Sequence, residues 1–302
     1  MEASSATTAL RPAGLRAGAR QLLADYVALT KPRVQSLLIL TTAATMYVAG
    51  SPSPLRLLWT CVGGYLSAGG AGAVNHYWDR DIDARMSRTR TRPVPSGRVR
   101  PGSALAFGLA LAALSFLLMA FTVNLLAAAL ALAGFAWYVV VYTIWLKRRT
   151  PQNIVIGGAA GAVPVLVGWA AATGQLSWTA VYLFAIVFYW TPPHFWALSI
   201  LMHDDYAAAE VPMLPVVRGE ADTRRQIVLY AVLLYAVSQL PFCAGGFGAI
   251  YLVSSIALGI AFIGFAVRLW QRADRRAALH LHLFSLAYLA ALFLSMVVDR
   301  QL

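Results

Sequence analysis

The stretch "NHYWDRDIDARMSRTRTRPVPSGRV", residues 75–99, ends a long apolar run and contains three aspartates and six arginines. The aspartates Asp79, Asp81 and Asp83 alternate with other residues. Carboxylates this close together raise each other's pKa unless positive charge holds them ionised. The stretch therefore predicts a site at a helix end where acids and cations act together.

The rest of the chain is strongly apolar. Of its 302 residues 60% are hydrophobic and only 12% are charged, with a mean hydropathy of +0.66 and a formal net charge of +12. This composition excludes an ordinary soluble domain and predicts an all-α integral membrane protein. The basic residues form short clusters between apolar runs, so we expect them to face anionic lipid headgroups, and no nucleic acid partner is expected.

Nine apolar segments are long enough to cross about 30 Å of hydrocarbon, which predicts a bundle of nine transmembrane helices. The segments are 34–50, 55–76, 103–122, 124–145, 154–172, 177–200, 226–245, 247–268 and 280–298. Residues 34–302 are thus predicted as the membrane domain and residues 1–33 as a basic cytoplasmic tail. The first twenty or so residues also have the acid-poor, Arg-containing composition of an organelle transit peptide, and both interpretations stay open.

The basic residues predict the orientation of this bundle. With nine spans, 22 of the 24 Lys and Arg residues lie on one side, and only Arg56 and Arg300 lie on the other. The positive-inside rule then places the N-terminus in the cytoplasm and the C-terminus on the opposite side. We expect the active-site cavity to open at the cytoplasmic side.

Two acid clusters follow spans 2 and 6. If helix continues beyond Asn75, then Asn75, Asp79 and Asp83 stack along one face over about 12 Å and form an acidic ladder, while Asp81 points elsewhere. Such hard oxygen ligands, too few to enclose a metal alone, suit Mg²⁺ held jointly with a phosphorylated substrate. A second set that includes Asp204 and Asp205 would face the first across a diphosphate. The alternative is that the acids only neutralise nearby arginines in a solvated loop.

Several ordered blocks resemble a known family. The segment 75–83 with the arginine-rich stretch after it resembles the first motif of the UbiA superfamily of intramembrane prenyltransferases. Within this superfamily, residues 142–169, "TPPHFWALSI" (191–200) and "DDYAAAEVPMLPVV" (204–217) resemble the protohaem IX farnesyltransferases, or haem O synthases. The blocks spread over spans 2 to 7 and so cover most of the chain.

The resemblance implies an activity: transfer of the farnesyl group of farnesyl diphosphate to a vinyl group of haem B, giving haem O and diphosphate. It implies Mg²⁺ as cofactor, a bacterial cell membrane as location, and a terminal oxidase assembly or a haem A synthase as partner. Carried over residue by residue, it assigns the first Mg²⁺–diphosphate motif to Asn75, Asp79 and Asp83, the second acidic region to Asp204 and Asp205, and a basic pair to Lys147 and Arg148.

The chain departs from the family pattern at two positions. His76 stands where Asp or Asn is usual, and we expect it to lie off the ladder face. Glu210 stands where related sequences have Gly, which adds a side chain at a point where Gly would let the loop turn freely.

The chemistry suggests further site residues. Breaking an allylic carbon–oxygen bond leaves a diphosphate anion and a delocalised carbocation, and Arg80, Lys147 and Arg148 are candidate cations for the anion. Aromatic faces stabilise a carbocation, and Tyr142 is the strongest candidate because it lies near one helical turn from Lys147. The other aromatic residues near helix ends are more simply interpreted as an interfacial belt.

His194 is the remaining candidate. It follows Pro192 and Pro193, which leave backbone carbonyls without donors inside span 6. An ionisable residue at this depth could contact haem iron, a propionate or water, or it could be a neutral histidine bonded to a free carbonyl. His280 and His282, at the start of span 9, are interpreted as ordinary flanking residues.

Two rival functions remain at this stage. A UbiA-type prenyltransferase that acts on a quinone precursor or a chlorin has the same acidic and basic motifs. A multispanning ion-coupled transporter would explain the prolines in span 6, but its acids are expected near the membrane midplane.

Overall fold

The computed structural model describes residues 13–302, with side chains from residue 18 onward. In this part of the chain the regular structure is entirely helical. The helices are α1 (Ala13–Leu29), α2 (Pro32–Ala49), α3 (Pro54–Trp78), α4 (Arg80–Arg85), α5 (Pro101–Thr122), α6 (Leu125–Ala136), α7 (Asn153–Gly157), α8 (Ala159–Thr173), α9 (Trp178–Leu201), α10 (His203–Ala208), α11 (Leu214–Cys243), α12 (Ala249–Arg272) and α13 (Arg275–Gln301), with a π-helix at Trp137–Leu146 that continues α6.

Local sequence explains where the long helices begin. Proline occupies the first turn of α2, α3 and α5, where a missing backbone N–H costs nothing. Asn124 caps α6 by accepting from the backbone N–H of Ala127 at 2.8 Å, and Asp274 caps α13 through Ala277 at 2.6 Å. These caps allow adjacent membrane helices to follow each other after very short turns.

Each of the nine predicted spans corresponds to a long helix or helix pair. Eight of these are long and apolar enough to cross a membrane within the described residues: all except α2. The start of α2 contains Arg33 and Gln35, which lower its hydropathy. The prediction of an all-α, multi-pass membrane protein is confirmed, and eight of the nine predicted spans are supported by length and composition.

Glycines bring α3 and α5 into close contact. A Cβ atom at Gly70 would lie 2.6 Å from the carbonyl oxygen of Gly108, and one at Gly108 would lie 2.7 Å from that of Gly70. Small residues let membrane helices approach backbone to backbone. This contact fixes the position of α3, whose end carries the acidic ladder.

Residues 13–29 of the predicted N-terminal tail form the helix α1. Asp25 of α1 is 4% exposed and pairs with Arg98, whose Nε lies 3.0 Å from its carboxylate. The ion pair joins α1 to the arginine-rich loop after α4. The first part of the predicted tail, residues 1–12, lies outside the described residues, and with it most of the segment that resembles a transit peptide.

Candidate active site

The acidic ladder follows the predicted helical register. Although α3 and α4 are separate helices, the backbone N–H of Asp79 donates to Asn75 at 2.9 Å, and that of Asp83 donates to Asp79 at 2.8 Å. The side chains of Asn75, Asp79 and Asp83 are all buried, whereas that of Asp81 is 55% exposed. The i, i+4, i+8 prediction is confirmed, including the outward direction of Asp81.

Each ladder residue contacts a cation that comes from elsewhere in the chain. The Nζ of Lys31 donates to Asn75 Oδ1 at 2.7 Å, and Lys147 pairs with Asp79 Oδ2. A guanidinium nitrogen of Arg92 lies 3.0 and 2.8 Å from the two oxygens of Asp83. These cations lie directly against the clustered acidic and amide groups and offset the negative charge gathered there.

The pKa values of Lys31 and Lys147 shift in opposite directions in this environment. Burial, aided by the positive charges of Arg92 and Lys147, lowers the pKa of Lys31 to about 7. Burial also acts to lower the pKa of Lys147, but the adjacent Asp79 carboxylate more than offsets it, so this pKa lies above its ordinary value. Lys147 therefore stays charged beside Asp79.

Arg148 contacts the outward aspartate. Its guanidinium donates to both oxygens of Asp81, at 2.7 and 2.6 Å, and to the carbonyl of Trp78 at 2.9 Å. The hydrogen bonds from Arg148 lower the pKa of Asp81 to about 2, and Asp81 in turn raises that of Arg148. Arg148 also lies 3.5 Å from Asp79 Oδ1, so the basic pair reaches two acids at once.

The π-helix Trp137–Leu146 presents the other side of this site. Its wider turn is closed where the backbone N–H of Lys147 donates to Tyr142 O at 2.9 Å, and Thr143 accepts from Asn75 Nδ2 at 3.1 Å. Gly157 packs so closely on the Tyr142 ring that a Cβ at this position would overlap it. Such π-helical turns are frequent at functional sites. The predicted candidate Tyr142 thus lies within one turn of Lys147.

The second acidic region lies next to the first but is arranged differently from it. Asp205 accepts from the backbone N–H and the hydroxyl of Ser87 at 3.0 and 2.7 Å, and these bonds lower its pKa. Asp204 is almost fully exposed and contacts only His203 at 3.2 Å among the described residues. Asp205 therefore ties the end of α9 to the loop after α4, while neither carboxylate contacts the ladder.

Glu210 has the backbone conformation that glycine would adopt. Its φ is +55°, in the left-handed region, and its side chain is 3.4 Å from Arg85. An L-residue pays a steric cost there that glycine avoids. The expectation that this position favours free turning is confirmed by the positive φ.

Arg80 and His76 have surroundings different from those of the ladder residues. Arg80 donates to Tyr77 O at 2.7 Å and lies over the Tyr77 ring, and its role as a cation for the diphosphate stays a prediction. His76 is 2% exposed, and neither ring nitrogen has a hydrogen-bond partner among the described residues. In helical projection His76 lies about 100° from Asn75 and about 20° from Asp83, so its position off the ladder face stays a prediction.

His194 lies in the core between α9 and α13. Its Nδ1 is 2.6 Å from Ser285 Oγ, and its ring stacks on Trp190 at 4.2 Å and on His282 at 4.4 Å. Its partner is a hydroxyl rather than a freed carbonyl. The interpretation of His282 as an ordinary flanking residue is wrong, because its ring packs on that of His194.

Sequence reasoning missed Lys31, Arg92 and Thr143 as members of the site. Lys31 and Arg92 are counted among the topology signals, because a lysine before a span and an arginine in a basic loop are common. Arg92 could have been suspected from its position nine residues after Asp83. Nothing near Lys31 in sequence indicates a contact with Asn75, 44 residues away.

The ladder has the chemistry of a metal site. Asp79 Oδ1 is buried and accepts no hydrogen bond from the described residues, so a hard acceptor oxygen remains available. The described residues contain no group of three or more His, Cys, Asp or Glu that would hold a metal by themselves. The donor set of Asn75, Asp79 and Asp83 fits a cation that takes its other ligands from a substrate.

Residues 37–295 match the UbiA prenyltransferase family. The chain belongs to this family. The UbiA match includes every residue of the ladder, the basic pair, Asp204, Asp205 and His194. The resemblance inferred from the sequence motifs is thereby confirmed.

Curated relatives within the UbiA family are named protoheme IX farnesyltransferase. The protein of Symbiobacterium thermophilum is 54% identical over 283 residues, which cover 92% of this chain and 95% of the relative. That of Chloroflexus aurantiacus is 53% identical over 283 residues, covering 93% of this chain and 48% of the relative. The chain thus spans about half the length of the Chloroflexus relative.

Solved structures share the UbiA fold. A digeranylgeranylglyceryl phosphate synthase superposes with a TM-score of 0.75 at 21% identity, covering 93% of this chain and 99% of that one. A UbiA homologue from Archaeoglobus fulgidus bound to DMAPP and Mg²⁺ superposes with a TM-score of 0.64 at 14% identity, covering 91% and 99%. These similarities confirm the helical membrane fold.

Proposed function

We propose that this protein transfers the farnesyl group of farnesyl diphosphate to a vinyl group of haem B, giving haem O and diphosphate. The observation that carries the proposal is the buried, cation-lined ladder of Asn75, Asp79 and Asp83 in a chain 54% identical to a protoheme IX farnesyltransferase over nearly its whole length. The ladder supports a diphosphate donor, and the relative's name supports the haem acceptor.

The donor would bind at the cytoplasmic end of α3. Mg²⁺ held by Asn75, Asp79 and Asp83 would supply positive charge to the diphosphate. The UbiA homologue solved with DMAPP and Mg²⁺ supports this cofactor. Asp204 and Asp205, on the adjoining segment, are proposed as the second acidic region that faces the diphosphate from the other side.

The basic pair would stabilise the leaving group. As the carbon–oxygen bond breaks, its electron pair stays on the diphosphate oxygen, and Lys147 and Arg148 meet the charge that develops there. Arg80 lies on the adjacent exposed surface and would add long-range attraction for the incoming anion. The face of Tyr142 would stabilise the allylic carbocation that remains.

The carbocation would then be captured by the haem. The vinyl π electrons form a new carbon–carbon bond to the farnesyl C1, and the positive charge moves to the carbon next to the porphyrin ring. Water adds to that carbon and releases a proton, so that farnesyl diphosphate, haem B and water balance haem O and diphosphate. His194, buried between α9 and α13, would help to position the acceptor.

The proposed reaction has consequences for the location of the protein, its orientation and the use of its product. The proposed location is a bacterial cell membrane, with the active site opening on the cytoplasmic side, and the positive-inside pattern supports a cytoplasmic N-terminus. Residues 34–302 would form the catalytic membrane domain, preceded by the basic N-terminal segment 1–33. The product would pass to a terminal oxidase assembly, directly or through a haem A synthase.

The test uses the full chain in lipid nanodiscs with farnesyl diphosphate, haem B and Mg²⁺, followed by extraction and mass spectrometry of the haem. We expect haem O, together with released diphosphate, and loss of both when EDTA removes Mg²⁺. Replacing haem B by quinone precursors or chlorins separates this proposal from the other UbiA activities. Prenylation of one of these acceptors but not of haem would overturn it, and Mg²⁺-independent ion transport in sealed proteoliposomes without any prenyl transfer would indicate the transporter.

A further inference from the structure

A second cluster, separate from the diphosphate site, joins α9 to α13. The rings of His194 and His282 stack with their centroids 4.4 Å apart and their planes at 25°. Trp190 covers the other face of His194 at 4.2 Å, and its Nε1 donates to Ser285 O at 2.8 Å. The diphosphate chemistry uses neither histidine.

The hydrogen bonds around Ser285 determine which ring nitrogens carry protons. The Ser285 hydroxyl donates its single proton to His282 O at 2.6 Å, so its oxygen must accept from the Nδ1–H of His194 at 2.6 Å. The Nδ1 of His282 lies 3.3 Å from His194 O, which can only accept. Both imidazoles therefore carry their proton on Nδ1 and leave Nε2 with a free lone pair.

This arrangement is typical of imidazoles that bind a metal. A metal-ligating histidine usually donates its other ring N–H to a carbonyl or similar acceptor, which sets its tautomer and orientation. Of the pair, His194 is only 7% exposed and has a ring on each face. His282 is partly exposed, so its Nε2 is the one that a large ligand can reach.

The pair lies beneath the same end of the bundle as the ladder. Asp205, just after α9, bonds Ser87, just after α4, so these helices end together. Arg275 begins α13 and donates to the carbonyl oxygen of Leu201, the last residue of α9, at 2.9 Å, so α13 begins at the same end of the bundle. A haem held at His282 would therefore lie near the farnesyl chain that enters from the ladder.

Arg275 adds a second point of contact. It precedes His282 by seven residues on one continuous helix, so both lie on the same face about 10 Å apart along the axis. The Arg275 side chain is exposed, and only its Nη2 is engaged with Leu201 among the described residues. A guanidinium at this end of the bundle can bind a carboxylate group of a ligand whose metal centre lies deeper between the helices.

We propose that His282 Nε2 is the axial ligand of the iron of the haem substrate and that Arg275 receives a haem propionate. His194, Ser285 and Trp190 are positioning residues that hold the His282 ring and its tautomer. The proposal rests on the proposed function for the identity of the ligand, and it adds the site and the orientation in which the ligand is held.

The test compares two porphyrins, ferric haem B and metal-free protoporphyrin IX, titrated into the full chain in nanodiscs without farnesyl diphosphate. Only haem can form the axial bond, whereas both carry propionates. His282→Ala should weaken haem binding at least about tenfold and remove its shift of the Soret band, with protoporphyrin binding unchanged. Added imidazole should restore the shift, because it supplies the missing ligand.

Arg275→Ala should weaken both porphyrins by a similar factor. The matched controls are His280→Ala and Arg276→Ala, which change the same residue types on other faces of α13 and should leave both affinities unchanged. Unchanged protoporphyrin binding in His282→Ala also shows that this variant is folded.

A haem spectrum and affinity unaltered in His282→Ala would overturn the iron assignment, and equal loss of both porphyrins would do so as well, since it indicates lost packing. Haem binding unaffected by Arg275→Ala would overturn the propionate assignment. The proposed function fails separately, if the unsubstituted protein neither binds nor farnesylates haem.

Discussion

Single side chains at the end of α3 decide what the site can bind. Asp79 is fully buried, and one of its oxygens accepts from Asn75 at 2.7 Å and pairs with Lys147, while the other has no hydrogen bond from the described residues. Asp81, two residues on, is half exposed and pairs with Arg148. We therefore expect substitution of the two aspartates to affect activity differently.

Asp79→Asn should abolish farnesyl transfer, because it removes an anionic ligand from the ladder. It also leaves the Lys147 ammonium buried without its partner, which costs on the order of 3–5 kcal/mol of stability. The double variant Asp79→Asn/Lys147→Met should regain stability in thermal unfolding but not turnover. Asp81→Asn is the control and should keep most activity; equal loss in both single variants would contradict the helical register.

Lys147→Ala should lose turnover by about a hundredfold, since one contact to a developing charge is worth roughly 3 kcal/mol. The loss should appear mainly in kcat of the mass-spectrometric haem O assay. Arg149, which is exposed and lies two residues after Lys147, provides the control. Arg148→Ala should lose most turnover as well. Near-normal turnover in both the Lys147→Ala and Arg148→Ala variants would mean that the cluster is only a topology signal and that the leaving group needs other cations, such as Arg80.

Whole elements place these side chains. The ladder's position depends on how closely α3 packs on α5, where Gly70 and Gly108 leave no room for a Cβ. The π-helix after α6 is a second such element, because its wider turn directs Thr143 and Lys147 toward the ladder. An apolar run predicts a helix here but not its π character, which depends on packing against Gly157 and its neighbours.

Gly70→Ala should force α3 away from α5 and cost about 1–3 kcal/mol, because the new methyl meets backbone that cannot move alone. Haem O synthesis should fall with it, since the ladder shifts relative to Lys147. Gly64→Ala, in the same helix, would place its Cβ 3.8 Å from Ile39 Cδ1, an ordinary contact, and should be tolerated. Thermal unfolding in nanodiscs compares the two, and equal stability would show that the α3–α5 contact is loose.

The basic residues of the molecule are concentrated at one end of the helix bundle. The ladder, the arginine-rich loop and Arg275 lie at this end. Arg300 lies at the other, within 3.4 Å of Val48 O. Orientation in the membrane is therefore the property to test at this scale.

Labelling of single cysteines checks the orientation. In a Cys61→Ala/Cys243→Ala background, Ser51→Cys marks the Arg300 end and Ser96→Cys marks the loop, both at exposed positions. In intact cells an impermeant maleimide should label Ser51→Cys and not Ser96→Cys, because the basic end faces the cytoplasm. The reverse pattern would mean that the orientation is inverted, and labelling at both positions only after lysis would mean that the span count is wrong.

The sequence by itself determined the features that depend on local period and composition. Apolar runs of sufficient length predict the membrane helices, and the spacing of Asn75, Asp79 and Asp83 predicts their common face, because helix geometry repeats every 3.6 residues wherever it occurs. Only the tertiary structure decided which distant groups meet them. Lys31 and Lys147 reach the ladder from 44 and 68 residues away, and His282 stacks on His194 across 88 residues of sequence. Such pairings follow from how helices pack, through glycine contacts and side-chain volumes summed over the whole bundle, and no local pattern encodes them.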